Sequence, residues 1–193
     1  MFTRHCLLGL PLLAASCAAE VLPETPVSVA AEPLSPSCER QIPAQLAVPE
    51  GNRLAFQFHA EGVQIYTCQA SAGSFAWVFT APEADLFDRR GRQVGTHYAG
   101  PTWEANDDST IVGSKVAEAA VDASAIPWLL LKAKSNTGDG LMSNVSYVQR
   151  LSTVGGLVPA TRPCAAANSG EVARIAYSAS YAFYTPKPAH KPH

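Results

Sequence analysis

LAFQFHA, residues 54–60, alternates large apolar side chains with smaller or polar ones. Successive side chains of an extended chain point to opposite faces. Leu54, Phe56, Phe58 and Ala60 therefore fall on one face, and Gln57 and His59 on the other. The same period recurs along the chain. VQIYTC (63–68) follows Glu61-Gly62, a pair that reads as a hairpin-like turn. FAWVFTA (75–81) groups Phe75, Trp77 and Phe79. ADLFDRRGRQVG (84–95) reads as a strand, a polar turn carrying Gly91, and a second strand. IPWLLLKA (126–133) is a continuous apolar run, as expected of a central strand covered on both faces. NVSYVQRLS (144–152) and RIAYSASYAFY (174–184) complete the set, the latter with Ile175, Tyr177, Tyr181 and Phe183 on one face and Ser178 and Ser180 on the other.

Helical signals are weak. SKVAEAAVDASA (114–125) holds helix-forming alanines but is near the marginal length for a helix, and it serves equally as a strand and loop. Eight to ten short strands punctuated by turns predict an all-β fold, a single antiparallel β-sandwich or barrel. About 150 residues bury roughly 68–70% of the unfolded chain's surface, so the core needs no metal to be stable.

Composition agrees. Charged residues make up 16% of the 193, below the roughly 25% of ordinary globular chains. Fifteen prolines and thirteen glycines supply turns. Fourteen basic residues against sixteen acidic ones give a formal charge of −2 and no basic run, so nucleic acid is not an expected partner.

The ends are of another kind. In MFTRHCLLGLPLLAASCAAE (1–20), Arg4 provides a positive n-region and residues 7–15 an apolar h-region too short to span a bilayer. Residues 1–17 are thus a signal peptide. Small residues around Cys17 and Ala19 suit an ordinary cleavage site. LAASC (13–17) also resembles the lipobox of bacterial lipoproteins, with Ala14 where leucine is usual, and would make Cys17 a lipidation site. Residues 18–37, with VLPETPVSVAAEPLSPS, form a Pro/Ala-rich tether. Residues 38–185 are the β-domain, and 186–193, with His190 and His193, a tail. The expected location is extracytoplasmic: periplasm, outer membrane through a lipid anchor, or secreted. No other contact with a membrane is expected.

Export implies an oxidising compartment, where cysteines pair. Cys6 leaves with the signal peptide. If Cys17 carries lipid, Cys38, Cys68 and Cys164 are left, one pair and one free thiol. A bridge between Cys68 and Cys164 would close a long loop and stabilise by roughly 3–5 kcal/mol in the chain-entropy picture. No CxxC or HxxxH spacing suggests a metal site.

Several blocks together resemble a known family. GVQIYTC (62–68), WVFTAPEADLFDRRGRQVGTHYAGPTWE (77–104), IPWLLLKA, SYVQRLSTVGG (146–156) and YSASYAFY (177–184) are similar, in this order, to exported bacterial and fungal proteins catalogued only as a domain of unknown function. The likeness runs from about Gly51 to Tyr184. It implies a bridge between Cys68 and Cys164, with Cys38 as the extra thiol. Some fungal members carry a malate dehydrogenase label, but no GxGxxG follows a strand here and alternating βα units are absent, so a dehydrogenase is not expected. The resemblance implies export and fold grouping, and no reaction.

GTHYAGPTWEANDDS (95–109) concentrates the candidate chemistry. His97 and Glu104 are a possible base and acid. Trp103 and Tyr98 would make a stacking platform for a sugar or aromatic ligand. Trp77 and Trp128, flanked by apolar residues, are expected in the core, and Trp103, set among polar neighbours, partly exposed. Asp107 and Asp108 lack the D-x-D-x-D-G spacing of a calcium loop and read as turn residues. Gln149 and Arg150 alternate, so one faces inward, and a buried arginine calls for a carboxylate such as Glu104. No GxSxG elbow exists, and Ser114 and Lys115 point apart on a strand.

The candidate ligand-binding set is therefore His97, Tyr98, Trp103, Glu104 and Asp107, with no cofactor and no metal. The expected role is a non-enzymatic, lipid-anchored envelope module for an unknown ligand, with carbohydrate among the possibilities. The alternatives are an extracytoplasmic hydrolase using His97 and a nearby carboxylate, and a structural envelope protein. Convergence of His97, Trp103 and Glu104 on one pocket marks the enzyme. Trp103 on a shallow groove marks a binding surface, and burial of all three marks a structural role.

Overall fold

The computed structural model describes residues 41–188 other than residue 72. The expected leader and tether, Cys17, Cys38, His190 and His193 lie outside the described residues. Eight strands follow in order: β1 (Asn52–Ser71), β2 (Ser74–Phe87), β3 (Gln93–Tyr98), β4 (Thr102–Ala105), β5 (Thr110–Ala119), β6 (Trp128–Thr137), β7 (Tyr147–Gly155) and β8 (Val172–Pro186). Each pairs antiparallel with the next, and β8 returns to pair with β1. The result is one sheet closed into a ring rather than two stacked sheets, which leaves no unpaired edge. The helix-or-strand window at 114–125 is strand up to Ala119 and loop beyond it.

Alternation places the core. Phe58, Ala60, Leu86, Ile111, Val148, Tyr181 and Phe183 are buried inside the ring. Phe183 anchors one end, its ring 4.8 Å from that of Phe56 and 5.6 Å from that of Phe58. The face expected of β8 is observed: Tyr177, Tyr181 and Phe183 are buried and Ile175 partly so. Leu54 departs from its expected face and is 47% exposed. A bulge lies between Leu54 and Phe56, so that Leu54 opposes Tyr184 while Phe56 opposes Phe183. One extra residue inverts the parity of everything before it.

The 126–133 run is covered on both faces, as its sequence requires. Leu131 joins the interior. Trp128 and Leu130 face outward into a second cluster with Ala119, Leu151 and Leu46, the last carried by a 3-10 turn at Ala44–Leu46. Gln149 on β7 holds that turn down by donating to the Leu46 carbonyl (2.7 Å), and Tyr184 donates to its other amide atom (2.7 Å).

The Glu61-Gly62 turn is not formed: β1 runs straight through it. Gly62 is needed there because a Cβ would sit 2.1 Å from the Glu83 carbonyl oxygen of β2. The glycine marks a close approach of two backbones, not a change of direction. The turn at Gly91 is present, with φ +74° at that glycine.

Cys68 near the end of β1 is fully buried and bonded to Cys164 in the β7–β8 loop, with Cα atoms 5.4 Å apart at a sequence separation of 96. Hydrogen bonds from Cys68 N to the Glu171 carbonyl and from Gly170 N to the Cys68 carbonyl continue the junction. This is the pairing that the family resemblance implied.

Candidate functional site

The β3–β4 hairpin divides the candidate residues between two faces. His97 pairs with Trp103 across the hairpin, and both point into the ring, 2% and 1% exposed. Their rings stack at 4.4 Å with planes 11° apart, and each meets the Tyr181 ring edge-on. Trp103 is therefore not the exposed tryptophan. Its polar neighbours in sequence point outward, while its cross-strand and cross-ring partners are aromatic. Trp77, expected in the core, is only half-buried. Its Nε1 donates to the Arg162 carbonyl (2.6 Å) and the Arg162 guanidinium lies over its ring at 5.4 Å.

Tyr98 and Glu104 lie on the outer surface, where the tyrosine hydroxyl donates to a Glu104 carboxylate oxygen at 2.6 Å. That bond raises the Tyr98 pKa. A stacking platform of Trp103 and Tyr98 is not formed, since the two rings belong to opposite faces of one hairpin. Asp107 shapes the β4–β5 turn. Its Oδ1 accepts from the Ser109 amide (3.0 Å) and hydroxyl, and its Oδ2 from Leu141 N (2.8 Å). The Ser109 hydroxyl bond is the first cause of its lowered pKa. The turn reading of this segment accounts for those contacts.

His97 Nδ1 lies 2.7 Å from the Thr102 carbonyl oxygen. A carbonyl only accepts, so Nδ1 carries the proton and the neutral ring has its lone pair on Nε2. Burial pushes the His97 pKa down to about 3; the Thr102 bond opposes this, and the charge of Arg150 adds to it. Among the described residues no carboxylate is hydrogen-bonded to the ring. His97 and Glu104, expected as base and acid, are thus not brought together.

His97 should govern acid sensitivity. The unfolded chain takes up a proton at this histidine from pH 6.5 downward, whereas the folded chain resists it until about pH 3. Its contribution to stability is complete above pH 6.5 and is lost as pH falls through that window, at up to about 1.4 kcal/mol per unit. Urea unfolding at pH 7 and 4.5 is expected to show about 2–3 kcal/mol from this residue, absent in His97→Phe. Equal slopes for the two proteins would contradict the assignment.

Inside the ring, beside the stacked pair, is a cavity of about 380 Å³ to which every strand but β1 contributes. His97, Trp103 and Tyr181 form one wall and Phe79, Pro82, Leu129 and Leu131 the apolar remainder. Arg150, Lys115 and Lys134 bring positive charge to it. Arg150 pairs across the sheet with Leu129 and Tyr181, so it is the inward member of the Gln149–Arg150 pair. The carboxylate expected for it is not there. Nε and Nη2 instead donate to the Pro127 carbonyl, at 3.1 and 2.8 Å.

Sequence reasoning found two residues of this cavity, His97 and Trp103, through a local cluster of unusual residue types. Gly100 and Pro101 of the same segment also line it, and the others were missed because no single stretch of chain contains them. Only the placing of either Gln149 or Arg150 inward pointed the right way.

A family model described as "Protein of unknown function (DUF3455)" matches residues 49–185. No curated protein and no solved structure matches the chain.

Proposed function

Since the chain belongs to the DUF3455 family of unknown function, membership supplies no reaction, and we propose that it is an exported, Cys17-anchored envelope protein. In this reading its β-domain binds a small ligand without turning it over. The observation that carries this is the cavity of about 380 Å³ beside His97 and Trp103, within the roughly 300–1,000 Å³ range of ligand pockets, with a mostly apolar surface into which several polar and charged side chains project. His97 argues against the hydrolase. Burial holds its pKa at about 3, far below that of a base poised for neutral pH, and among the described residues no carboxylate is bonded to it.

Export is supported by the signal-peptide pattern and by a disulfide that suits an oxidising compartment. Among the described residues no helix is long and apolar enough to cross a membrane. A lipid on Cys17 supplies the attachment in this reading.

Thermal unfolding against a panel of envelope lipids, organic acids and glycans tests the binding role. A ligand at 100 times its Kd raises apparent stability by about 2.7 kcal/mol. At least one class is expected to raise the midpoint, and His97 and Trp103 ring resonances are expected to move with it. A panel that shifts neither, or a ligand that is chemically consumed, would refute the proposal.

A further inference from the structure

The charges around the cavity do not balance. Its lining carries three cationic side chains, Arg150, Lys115 and Lys134, and no carboxylate, although the whole chain is net negative. Lys115 has a neighbour in Glu118, 2.7 Å away at the exposed rim. Neither Arg150 nor Lys134 forms an ion pair among the described residues. Arg150 is the telling one, because it lies within the ring. Its guanidinium bears on His97, Tyr66, Tyr177 and Tyr181, all groups of the interior.

Holding even a partly buried cation without a counter-charge is costly unless something else supplies it. Pro127 accepts from two of the five guanidinium N–H groups through a single neutral oxygen, and the Tyr181 hydroxyl is a further neutral partner. The donors left over suit a carboxylate or phosphate oxygen, which arginine binds more strongly than neutral acceptors. The rest of the lining holds no group of that strength: Phe79, Pro82, Leu129 and Leu131 are hydrocarbon, and Thr80 and Ser114 are neutral. A cavity of about 380 Å³ takes on the order of a dozen non-hydrogen atoms, at roughly 30 Å³ for each water-sized unit.

We infer that the cavity binds an anionic amphiphile, its carboxylate or phosphate monoester on Arg150 and its apolar body against Phe79, Leu129 and Leu131, with Lys134 at the rim drawing the anion in. This rests on the cavity being the binding site. Charge-assisted bonds of this kind change affinity about 10- to 100-fold.

Titration of the protein with decanoate, decyl phosphate and decanol, followed by calorimetry and by the Trp103 indole resonance, tests it. Both anions are expected to bind at least 10-fold more tightly than decanol, and the tighter of the two identifies the headgroup. Arg150→Met should remove that preference, bringing both anions to the affinity of decanol for the same variant. Arg150→Lys, which keeps the charge, should restore part of it. Lys134→Ala, exposed and remote from the core, should weaken only the anions and lessen their salt dependence. Decanol binding as tightly as decanoate would overturn anion recognition and leave the cavity reading intact. If none of the three binds or moves the indole resonance, both readings fall.

Discussion

Replacing both Cys68 and Cys164 by serine is expected to lower stability by about 3–5 kcal/mol and the thermal midpoint by about 10–15 °C. The bridge spans 96 residues, most of the sheet, from the end of β1 to the loop that delivers β8. Without it the unfolded chain regains the freedom of a very long loop. Its two ends must then find each other before the ring can close. Reducing agent should lower the midpoint of the native protein by the same amount and leave the double variant unchanged. A double variant that unfolds with the native midpoint would show that the closure of β1 on β8 holds without the bond.

The second large effect is at Trp103. Trp103→Ala removes a fully buried indole from the point where three aromatic partners meet: the His97 ring at 4.4 Å, Tyr181 at 5.3 Å and Phe183 at 6.2 Å. Removal of a buried tryptophan costs about 3–5 kcal/mol, because the rigid sheet cannot collapse into the space. Trp103→Phe, which preserves part of the stack, should lose less. Trp77→Ala, on a half-buried ring over which the Arg162 guanidinium lies, is expected to cost under half as much. Equal losses at the two positions would place Trp103 at the surface and undo the description of the ring interior.

These expectations reverse the reading that sequence alone gives of the tryptophans, and the reason is general. Trp103 has proline, threonine, glutamate and asparagine for neighbours, so its local composition reads as surface. Burial is decided by what lies across the sheet and across the ring, here His97 and Tyr181, which are distant or indirect in sequence. Trp77 fails in the other direction, since apolar neighbours on both sides gave no information about which face was covered. Alternation was legible where it was unbroken, as in residues 174–184, and the 126–133 run foretold its two covered faces. It misled at Leu54 because a bulge has no residue-type signature. Gly62 misled because a glycine needed for close backbone approach looks the same as one needed for a turn.

The site was legible only in part. Local clustering drew attention to residues 95–109, and four of those residues, His97, Gly100, Pro101 and Trp103, do line the cavity. The strand period by itself puts His97 and Tyr98 on opposite faces. It does not carry past Pro101, so the faces of Trp103 and Glu104 follow only from the hairpin register. Arg150 is the instructive case. An inward arginine was expected to need a carboxylate, and it instead meets a backbone carbonyl and an empty charge balance, which no local sequence rule encodes.

The central claim is that the sheet closes, with β1 against β8, and encloses the stacked His97 and Trp103. Through-space proton contacts in solution test both halves at once. The account predicts backbone cross-peaks joining Phe58 to Tyr181 and Ala60 to Ala179, together with ring contacts from Trp103 to His97 and Tyr181. Rapid amide exchange along β8, with Trp103 lacking contacts to either ring, would contradict it.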